Sequence, residues 1–170
     1  MKKRILLTSF DTWLDDQHSN SSDDLLFEVS KLDSLPYDLK FLRLLPVDIE
    51  LASYRVMAKI ETYQPDYIVC CGMAASRQKL SLELGARRGE SFLQTTIDVK
   101  KLVSGAKATY ISDDCGKFVC EGLYYSVLNY LEQNKLAAHC IFVHVPVLNQ
   151  ENFIEILTDF LLIIHNIALL

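Results

Sequence analysis

The chain has 170 residues, half of them hydrophobic, and a formal net charge of −5 at pH 7. This hydrophobic content excludes intrinsic disorder, which requires low hydrophobicity together with high charge. The acidic balance argues against a nucleic-acid partner, because such binding depends on basic groups that neutralise phosphates. The length is typical of one domain, and we expect residues 1–170 to fold as a single domain.

The chain contains five cysteines, an odd number. They cannot all pair within one molecule. The charged N-terminus is followed by too few apolar residues for the core of a signal peptide. We therefore expect free thiols and a cytoplasmic location.

In chain order, short apolar runs alternate with amphipathic segments. We predict the following elements: strand 4–10, helix 22–32, strand 39–45, helix 48–63, strand 67–71, strand 108–112, helix 116–131, strand 140–145 and a helix from residue 151. Within the less regular stretch 78–98, Leu80, Leu82 and Leu84 alternate as in a half-exposed strand. Strands that alternate with helices predict an α/β fold, a three-layer sandwich whose mostly parallel, twisted sheet has helices on both faces.

The C-terminal segment from Phe153 to Leu170 is strongly apolar, but four polar residues interrupt it: Glu155, Asp159, His165 and Asn166. A membrane-spanning helix needs about 20 predominantly apolar residues. We therefore interpret the segment as an amphipathic helix and expect no membrane partner. Such a helix packs on the core, or it covers a partner or a second copy of the chain in a homo-oligomer.

The common motifs for dinucleotide binding, for phosphate-binding loops and for serine hydrolases are absent from the sequence. Two adjacent pairs contain metal-ligating side chains, Cys70–Cys71 and His139–Cys140. Neighbouring residues of a strand point to opposite faces, so neither pair is expected to bind one ion. We predict no metal site and no cofactor.

A cysteine and a histidine occupy positions where α/β enzymes keep a nucleophile and a base. Cys120 lies in the first turns of a predicted helix, where free backbone N–H groups favour a thiolate. His144 ends a predicted buried strand, and active sites of such sheets lie beyond the carboxyl ends of strands. A Cys–His pair also needs an acid that orients the imidazole, and Glu83 is a candidate. Taken alone, a cysteine or a strand-end histidine is more often structural than catalytic, and Glu83 is also compatible with a position that faces solvent.

Four blocks of sequence occur in the order of a known family. They are Thr8-Ser-Phe-Asp-Thr-Trp13, Gly72-Met-Ala-Ala-Ser-Arg77, Cys115-Gly-Lys-Phe-Val-Cys120 and Phe142-Val-His144-Val-Pro146. They are similar to the motifs Thr-Gly-Phe-x-Pro-Phe-Gly, Gly-Gln-Ala-Gly-Gly-Arg, Ala-Gly-Thr-Tyr-Val-Cys and Phe-x-His-Val-Pro of the pyroglutamyl-peptidase I (pyrrolidone-carboxylate peptidase) family of cysteine peptidases. The chain thus resembles a shortened and divergent member of this family over nearly its whole length.

The resemblance implies an α/β fold and a cysteine exopeptidase. The implied reaction removes an N-terminal pyroglutamyl (5-oxoprolyl) residue from a peptide substrate through an acyl-enzyme. By the same resemblance, Cys120 is the nucleophile, His144 is its base and Glu83 is the orienting acid. It also implies three substrate-binding residues around an apolar pocket for the lactam ring: Phe10, Trp13 and Asn20.

The sequence departs from the family pattern between Arg88 and Ala108. This stretch is shorter and lacks an Asp-Ala-Arg-Ile-Pro-Asp-Asn motif, which in the family supplies an arginine near the catalytic centre. Arg87 or Arg88 is the nearest replacement in the sequence. Glu121 follows Cys120 directly in place of an asparagine, and its charge is expected to raise the pKa of the thiol.

Two other functions remain open at the level of sequence. One is a catalytically weak or inactive relative that acts as an interaction module through its apolar C-terminal helix. The other is a thiol-transfer protein that uses Cys115 and Cys120, although their spacing differs from the Cys-x-x-Cys arrangement of such proteins.

Overall fold

The apolar runs of the sequence form the strands of a central sheet, and the amphipathic segments form its covering helices. The structure is a computed structural model that describes residues 2–33 and 35–170. Its strands are β1 (Arg4–Phe10), β2 (Asp38–Leu45), β3 (Tyr67–Met73), β4 (Leu80–Glu83), β5 (Gly85–Arg88), β6 (Ser91–Gln94), β7 (Thr109–Ser112) and β8 (His139–Val145). Its helices are α1 (Ser21–Ser30), α2 (Ile49–Tyr63), α3 (Val99–Leu102), α4 (Val119–Gln133) and α5 (Phe153–Ala168).

Six strands form the main sheet in the order β2-β1-β3-β8-β4-β7. The first four run parallel to one another, whereas β4 is antiparallel to β8 and β7 follows the direction of β4. Strands β5 and β6 form a separate antiparallel hairpin. The predicted α/β fold with a mostly parallel sheet is therefore confirmed.

Helices cover both faces of this sheet and divide the core into two clusters. One cluster packs residues of α1 and α5, such as Leu25 and Phe160, against one face. The other packs residues of α2 and α4, such as Val56 and Leu123, against the opposite face. The central strands β1, β3 and β8 are buried on both faces, which explains their continuous apolar sequences.

Strand β4 differs from the half-exposed strand that the alternating leucines predict. All four of its residues are buried. Leu80 and Leu82 join the cluster beneath α5, whereas Ser81 and Glu83 point to the face that α4 covers. The prediction was wrong because a polar residue in an alternating pattern was assumed to face water. Here the polar residues face a second protein layer.

The register between strands brings the candidate catalytic residues to one place. His144 pairs with Gly72 of β3 on one side and with Ser81 of β4 on the other, and Glu83 pairs with Phe142. Residues directly opposite each other on neighbouring strands point to the same face. All five residues therefore face α4.

The C-terminal helix α5 buries one side against the sheet through Phe160 and Ile164 and leaves Ile154 exposed. It is thus an amphipathic helix, as its interrupted apolar sequence predicts. Within residues 2–33 and 35–170, no helix has both the length and the apolar character needed to cross a membrane.

Candidate active site

The centre of the candidate site is a buried contact between a histidine and a carboxylate. His144 Nδ1 lies 2.7 Å from Glu83 Oε1, and both side chains are buried. An ionised carboxylate can only accept, so Nδ1 carries the proton and donates it to Glu83. The other ring nitrogen, Nε2, is then left as an acceptor, which is the arrangement that a general base requires.

The carboxyl group of Glu83 is held in its ionised form despite complete burial. Burial by itself raises the pKa of this group, because a buried charge loses its hydration. Hydrogen bonding by His144 and the neighbouring positive charge of Arg77 more than offset that effect. The pKa of Glu83 therefore lies below its ordinary value, and the negative charge is available to stabilise a protonated His144.

Arg77 joins the carboxylate to two other parts of the site. Its Nη1 donates to Glu83 Oε1 and to Ser81 Oγ. Its Nη2 donates to the backbone carbonyl of Asp114 at 2.6 Å, in the segment that leads to α4. The guanidinium of Arg77 thus connects strand β4 to the loop that carries Cys115 and leads to α4.

Arg77 is the arginine that contacts the carboxylate, whereas Arg87 and Arg88 lie elsewhere. The guanidinium of Arg87 lies 4.6 Å from the ring of Phe92, within the β5–β6 hairpin. Arg88 lies 4.4 Å from the ring of Tyr125 and donates to a hydroxyl of α4. Sequence reasoning missed this role because Arg77 lies ahead of the departure from the family pattern.

Cys120 is the second residue of α4, and a glycine makes its position possible. A Cβ atom added to Gly72 would lie 2.5 Å from Cys120 Sγ and 2.9 Å from the ring of Phe142. Only glycine leaves room for the thiol above the carboxyl end of β3, directly beside the strand that carries His144. Among the described residues, Cys120 Sγ forms no hydrogen bond with His144, and catalytic contacts of this kind often tighten only when substrate binds.

The thiol of Cys120 is neutral in this environment. Burial, followed by the nearby groups of Cys70 and Glu83, raises the pKa of Cys120 to about 12. Burial is the main cause of this rise. Oε1 of Glu121 accepts a hydrogen bond from the backbone N–H of Arg87 at 2.9 Å. A thiol with this pKa needs a base to remove its proton during attack.

A second thiol lies against the Glu83–His144 pair. Cys115 Sγ, a ring nitrogen of His144 and a carboxylate oxygen of Glu83 all lie within 4.8 Å of one another. Cys115 is almost completely buried, and this burial raises the pKa of its thiol well above the ordinary value. Sequence reasoning did not connect Cys115 with this pair. The available signal was a cysteine at the alanine position of the family's nucleophile motif.

Two exposed aromatic rings lie on the solvent side of the site. Trp13 follows β1 and is 60% exposed, and Phe118 at the start of α4 is 77% exposed. Their ring centroids are 6.5 Å apart. Phe118 precedes Cys120 by two residues, so the pair forms an apolar surface next to the candidate nucleophile. Phe118 was missed because a single aromatic residue in a loop carries no distinctive sequence signal.

The two other residues implied for substrate binding lie deeper. Phe10 is buried in the core cluster beneath α2 and α4. Asn20 caps α1, where its side chain accepts from the backbone N–H of Ser22 at 3.0 Å and donates to the carbonyl of Asp11 at 3.2 Å. The roles of Phe10, Trp13 and Asn20 in substrate binding stay predictions.

The chain is similar to known peptidases in sequence. Residues 88–159 match the family model described as pyroglutamyl peptidase. A pyrrolidone-carboxylate peptidase from Brevibacillus brevis is 26% identical over 175 residues, which cover 88% of this chain and 80% of that protein. The resemblance indicated by the sequence motifs is thereby confirmed.

Solved structures show the same fold. The crystal structure of the pyroglutamyl peptidase I from Bacillus amyloliquefaciens matches with a TM-score of 0.87 at 18% identity, covering 100% of this chain and 97% of that one. A mutant pyrrolidone carboxyl peptidase from Pyrococcus furiosus matches with a TM-score of 0.80 at 19% identity, covering 98% of both chains. The sheet order and the helix layers described above are therefore those of a known α/β fold.

Proposed function

We propose that this chain, a divergent relative of the pyroglutamyl peptidases, is a cysteine exopeptidase that removes an N-terminal pyroglutamyl residue from peptides. The observation that carries the proposal is the buried hydrogen bond between His144 Nδ1 and Glu83, which leaves Nε2 on the side of α4 without a partner among the residues that the structure describes. Cys120 at the start of α4 is the proposed nucleophile. A structural histidine does not need a buried, ionised carboxylate on one nitrogen and an unoccupied acceptor on the other.

In the proposed reaction, Cys120 Sγ attacks the exocyclic carbonyl carbon of the pyroglutamyl residue while its proton passes to Nε2 of His144. The tetrahedral intermediate then collapses, the C–N bond breaks, and His144 returns the proton to the leaving amine. A water molecule, deprotonated by His144, hydrolyses the resulting thioester. Glu83 stabilises the imidazolium in both steps, because its carboxylate stays ionised next to Nδ1.

The first turn of α4 supplies donors for the developing oxyanion. The backbone N–H of Gly122 donates to the carbonyl of Phe118, and this bond opens the helix. The N–H groups before it, including that of Cys120, precede the intrahelical ladder and point out of the helix end. Donors at a helix N-terminus stabilise negative charge, so they are suited to an oxyanion on the carbon that Cys120 attacks.

The aromatic rings of Trp13 and Phe118 explain why the proposed substrate has an uncharged N-terminal group. Two exposed rings with centroids 6.5 Å apart offer an apolar surface to one small ring. A pyroglutamyl lactam carries no charge, whereas an ordinary peptide N-terminus is an ammonium that loses hydration on an apolar surface. We therefore assign the lactam ring to this aromatic pair.

The test is hydrolysis of a pyroglutamyl-coupled chromogenic amide by freshly reduced protein. We expect turnover by the natural chain and a loss of about 10³-fold or more in Cys120→Ser, since the serine hydroxyl is a far weaker nucleophile here. Cys140→Ala, in the buried part of β8, is the matched control and keeps the activity. No turnover by fully reduced natural protein would refute the substrate assignment, and equal activity in the Cys120→Ser variant would refute the assigned nucleophile.

A further inference from the structure

Three side chains from distant parts of the sequence form a mixed cluster around the Glu83–His144 pair. Glu83 comes from β4, His144 from β8 and Cys115 from the loop before α4. One ligating atom of each lies within 4.8 Å of the other two, and all three residues are buried. The cluster thus combines a sulfur, an imidazole nitrogen and a carboxylate oxygen in one dry place.

One oxygen of this cluster lacks a partner. Glu83 Oε1 accepts from His144, Arg77 and Ser81, whereas Oε2 is buried and accepts no hydrogen bond from the residues the structure describes. A buried, ionised oxygen without a donor is costly. An electrophilic ligand at Oε2 would remove that cost.

We propose that Cys115, His144 and Glu83 bind Zn²⁺, and that the bound ion inhibits the enzyme by occupying its base. Thiolate, imidazole and carboxylate are the ligands that Zn²⁺ takes in proteins, and three of them with one water complete a tetrahedral site. Ligand atoms around zinc lie about 3 to 4 Å apart, so the cluster contracts slightly through side-chain rotation on binding. The inhibition rests on the proposed peptidase function, whereas the metal binding does not.

Binding releases one proton. The Cys115 thiol becomes a Zn–S thiolate, and its proton passes to solvent. The carboxylate of Glu83 offers Oε2, and His144 offers Nδ1, whose proton moves to Nε2 as the ring changes tautomer. Once His144 ligates the ion, it can no longer accept the proton of Cys120, so hydrolysis stops. Cys120 itself is outside this ligand set.

The sulfur ligand Cys115 distinguishes this chain from the family motif that it resembles. The family motif carries alanine where this chain has Cys115, so the sulfur ligand belongs to this sequence in particular. Cys115→Ala therefore removes the ligand with a residue that the motif itself accepts at this position. Cys115→Ser is the second variant, which keeps the size of the side chain if alanine destabilises the fold.

The binding test uses Co²⁺ as a spectroscopic substitute for Zn²⁺, with protein that has been reduced and then freed of reductant under an oxygen-free atmosphere. We expect one equivalent of Co²⁺ to give a thiolate-to-metal charge-transfer band in the near ultraviolet, which Zn²⁺ then removes. The band is lost in Cys115→Ala and Cys115→Ser and is kept in Cys120→Ser. No band in the natural chain, or a band that depends on Cys120 instead of Cys115, would overturn the site.

The activity test compares each variant with itself, with and without Zn²⁺. We expect the Zn²⁺ concentration for half-inhibition to rise at least about tenfold in Cys115→Ala, because loss of a ligand weakens binding at least as much as loss of a supporting hydrogen bond. Unchanged sensitivity to Zn²⁺ would overturn the inhibitory role. A chain without peptidase activity that still shows the Cys115-dependent band would refute the proposed function and leave the metal site standing.

Discussion

Strand β8 carries a histidine near each end. In each histidine, Nδ1 lies within hydrogen-bond distance of a side-chain oxygen. At the amino-terminal end, His139 Nδ1 lies 2.6 Å from the hydroxyl of Thr96, and the ring stacks on Tyr67 at 5.5 Å. At the carboxyl-terminal end, His144 Nδ1 lies 2.7 Å from Glu83. His139 is half-buried and His144 is buried.

The partner oxygen decides what each histidine can do. The hydroxyl of Thr96 can donate or accept, so it fixes no tautomer of His139 and offers no charge to an imidazolium. The carboxylate of Glu83 only accepts, which fixes the proton of His144 on Nδ1 and stabilises the charged ring. Two histidines of one strand therefore differ in chemistry through their neighbours on other strands.

Two cavities lie at the amino-terminal end of β8, away from His144. A cavity of about 590 Å³ is lined by residues at the amino-terminal end of the sheet, including Lys3, Asp66, Tyr67, Tyr130 and His139. A second, of about 580 Å³, shares His139 and residues 136–138 with it. The thiols and the buried carboxylate lie around His144 instead. At this sheet, side-chain chemistry identifies the candidate active site better than volume does.

The strongest test of this contrast exchanges the two histidines for alanine. His144→Ala is expected to lower kcat/KM for a pyroglutamyl amide by about 10⁴-fold, because general acid–base catalysis is lost. His139→Ala keeps the activity, since its ring touches only the far end of the sheet. Steady-state kinetics on both variants measure the difference. Similar losses in the two variants would remove the distinction between the ends.

The carboxylate that distinguishes the two ends can be neutralised in place. Glu83→Gln keeps the side-chain size but removes the charge beside His144 and Arg77, so kcat/KM is expected to fall by about 10²-fold through misorientation of the base. Glu61→Gln, at the amino-terminal cavity, is the control and keeps the activity. An active Glu83→Gln variant would show that orientation of His144 does not depend on this carboxylate.

The raised pKa of Cys120 predicts how its alkylation depends on pH. Well below a pKa of about 12, the thiolate fraction rises about tenfold per pH unit, so the rate with iodoacetamide should rise about 10²-fold from pH 7 to pH 9. Cys140, next to His139, is buried and should stay unmodified. Mass spectrometry of the modified peptides gives both rates. A rate that is high and constant over this range would reveal a preformed ion pair with His144.

The need for glycine at position 72 can be tested by substitutions on the two faces of β3. Gly72→Ala places a methyl group 2.5 Å from Cys120 Sγ, so we expect about tenfold lower kcat/KM and a loss of about 1–3 kcal/mol in the free energy of unfolding. Cys71→Ala alters the opposite face of β3, which α5 covers. This control should lose stability and keep its activity. Full activity in Gly72→Ala would show that the thiol need not lie above β3.

The smallest effect is expected where His139 meets Thr96. Thr96→Val removes the hydroxyl that holds this ring, but the contact is exposed, so the free energy of unfolding should change by less than about 0.5 kcal/mol. Denaturant unfolding and the amide assay should both match the natural chain. A large loss of activity would mean that the amino-terminal end takes part in the reaction.

The sequence predicted the long elements well because their patterns are local. Continuous apolar runs identified β1, β3 and β8, and helical spacing identified α2 within two residues of its observed bounds. The β5–β6 hairpin and the single turn α3 were missed, since elements of four residues contain too few positions for a period to emerge. The first helix begins at Ser21, one residue before its predicted start, because the side chain of Asn20 accepts from the N–H of Ser22 and caps the helix.

The sequence by itself determined the kinds of chemical groups, their order along the chain and the elements that carry them. Cys120, His144 and Glu83 were selected on that basis, with the family motifs as support. The tertiary structure decided which groups meet: Arg77 at the carboxylate, Cys115 at the Glu83–His144 pair and Gly72 beneath Cys120. The physical reason is strand register. It sets distances between residues far apart in sequence, and burial then turns those distances into proton positions and shifted pKa values.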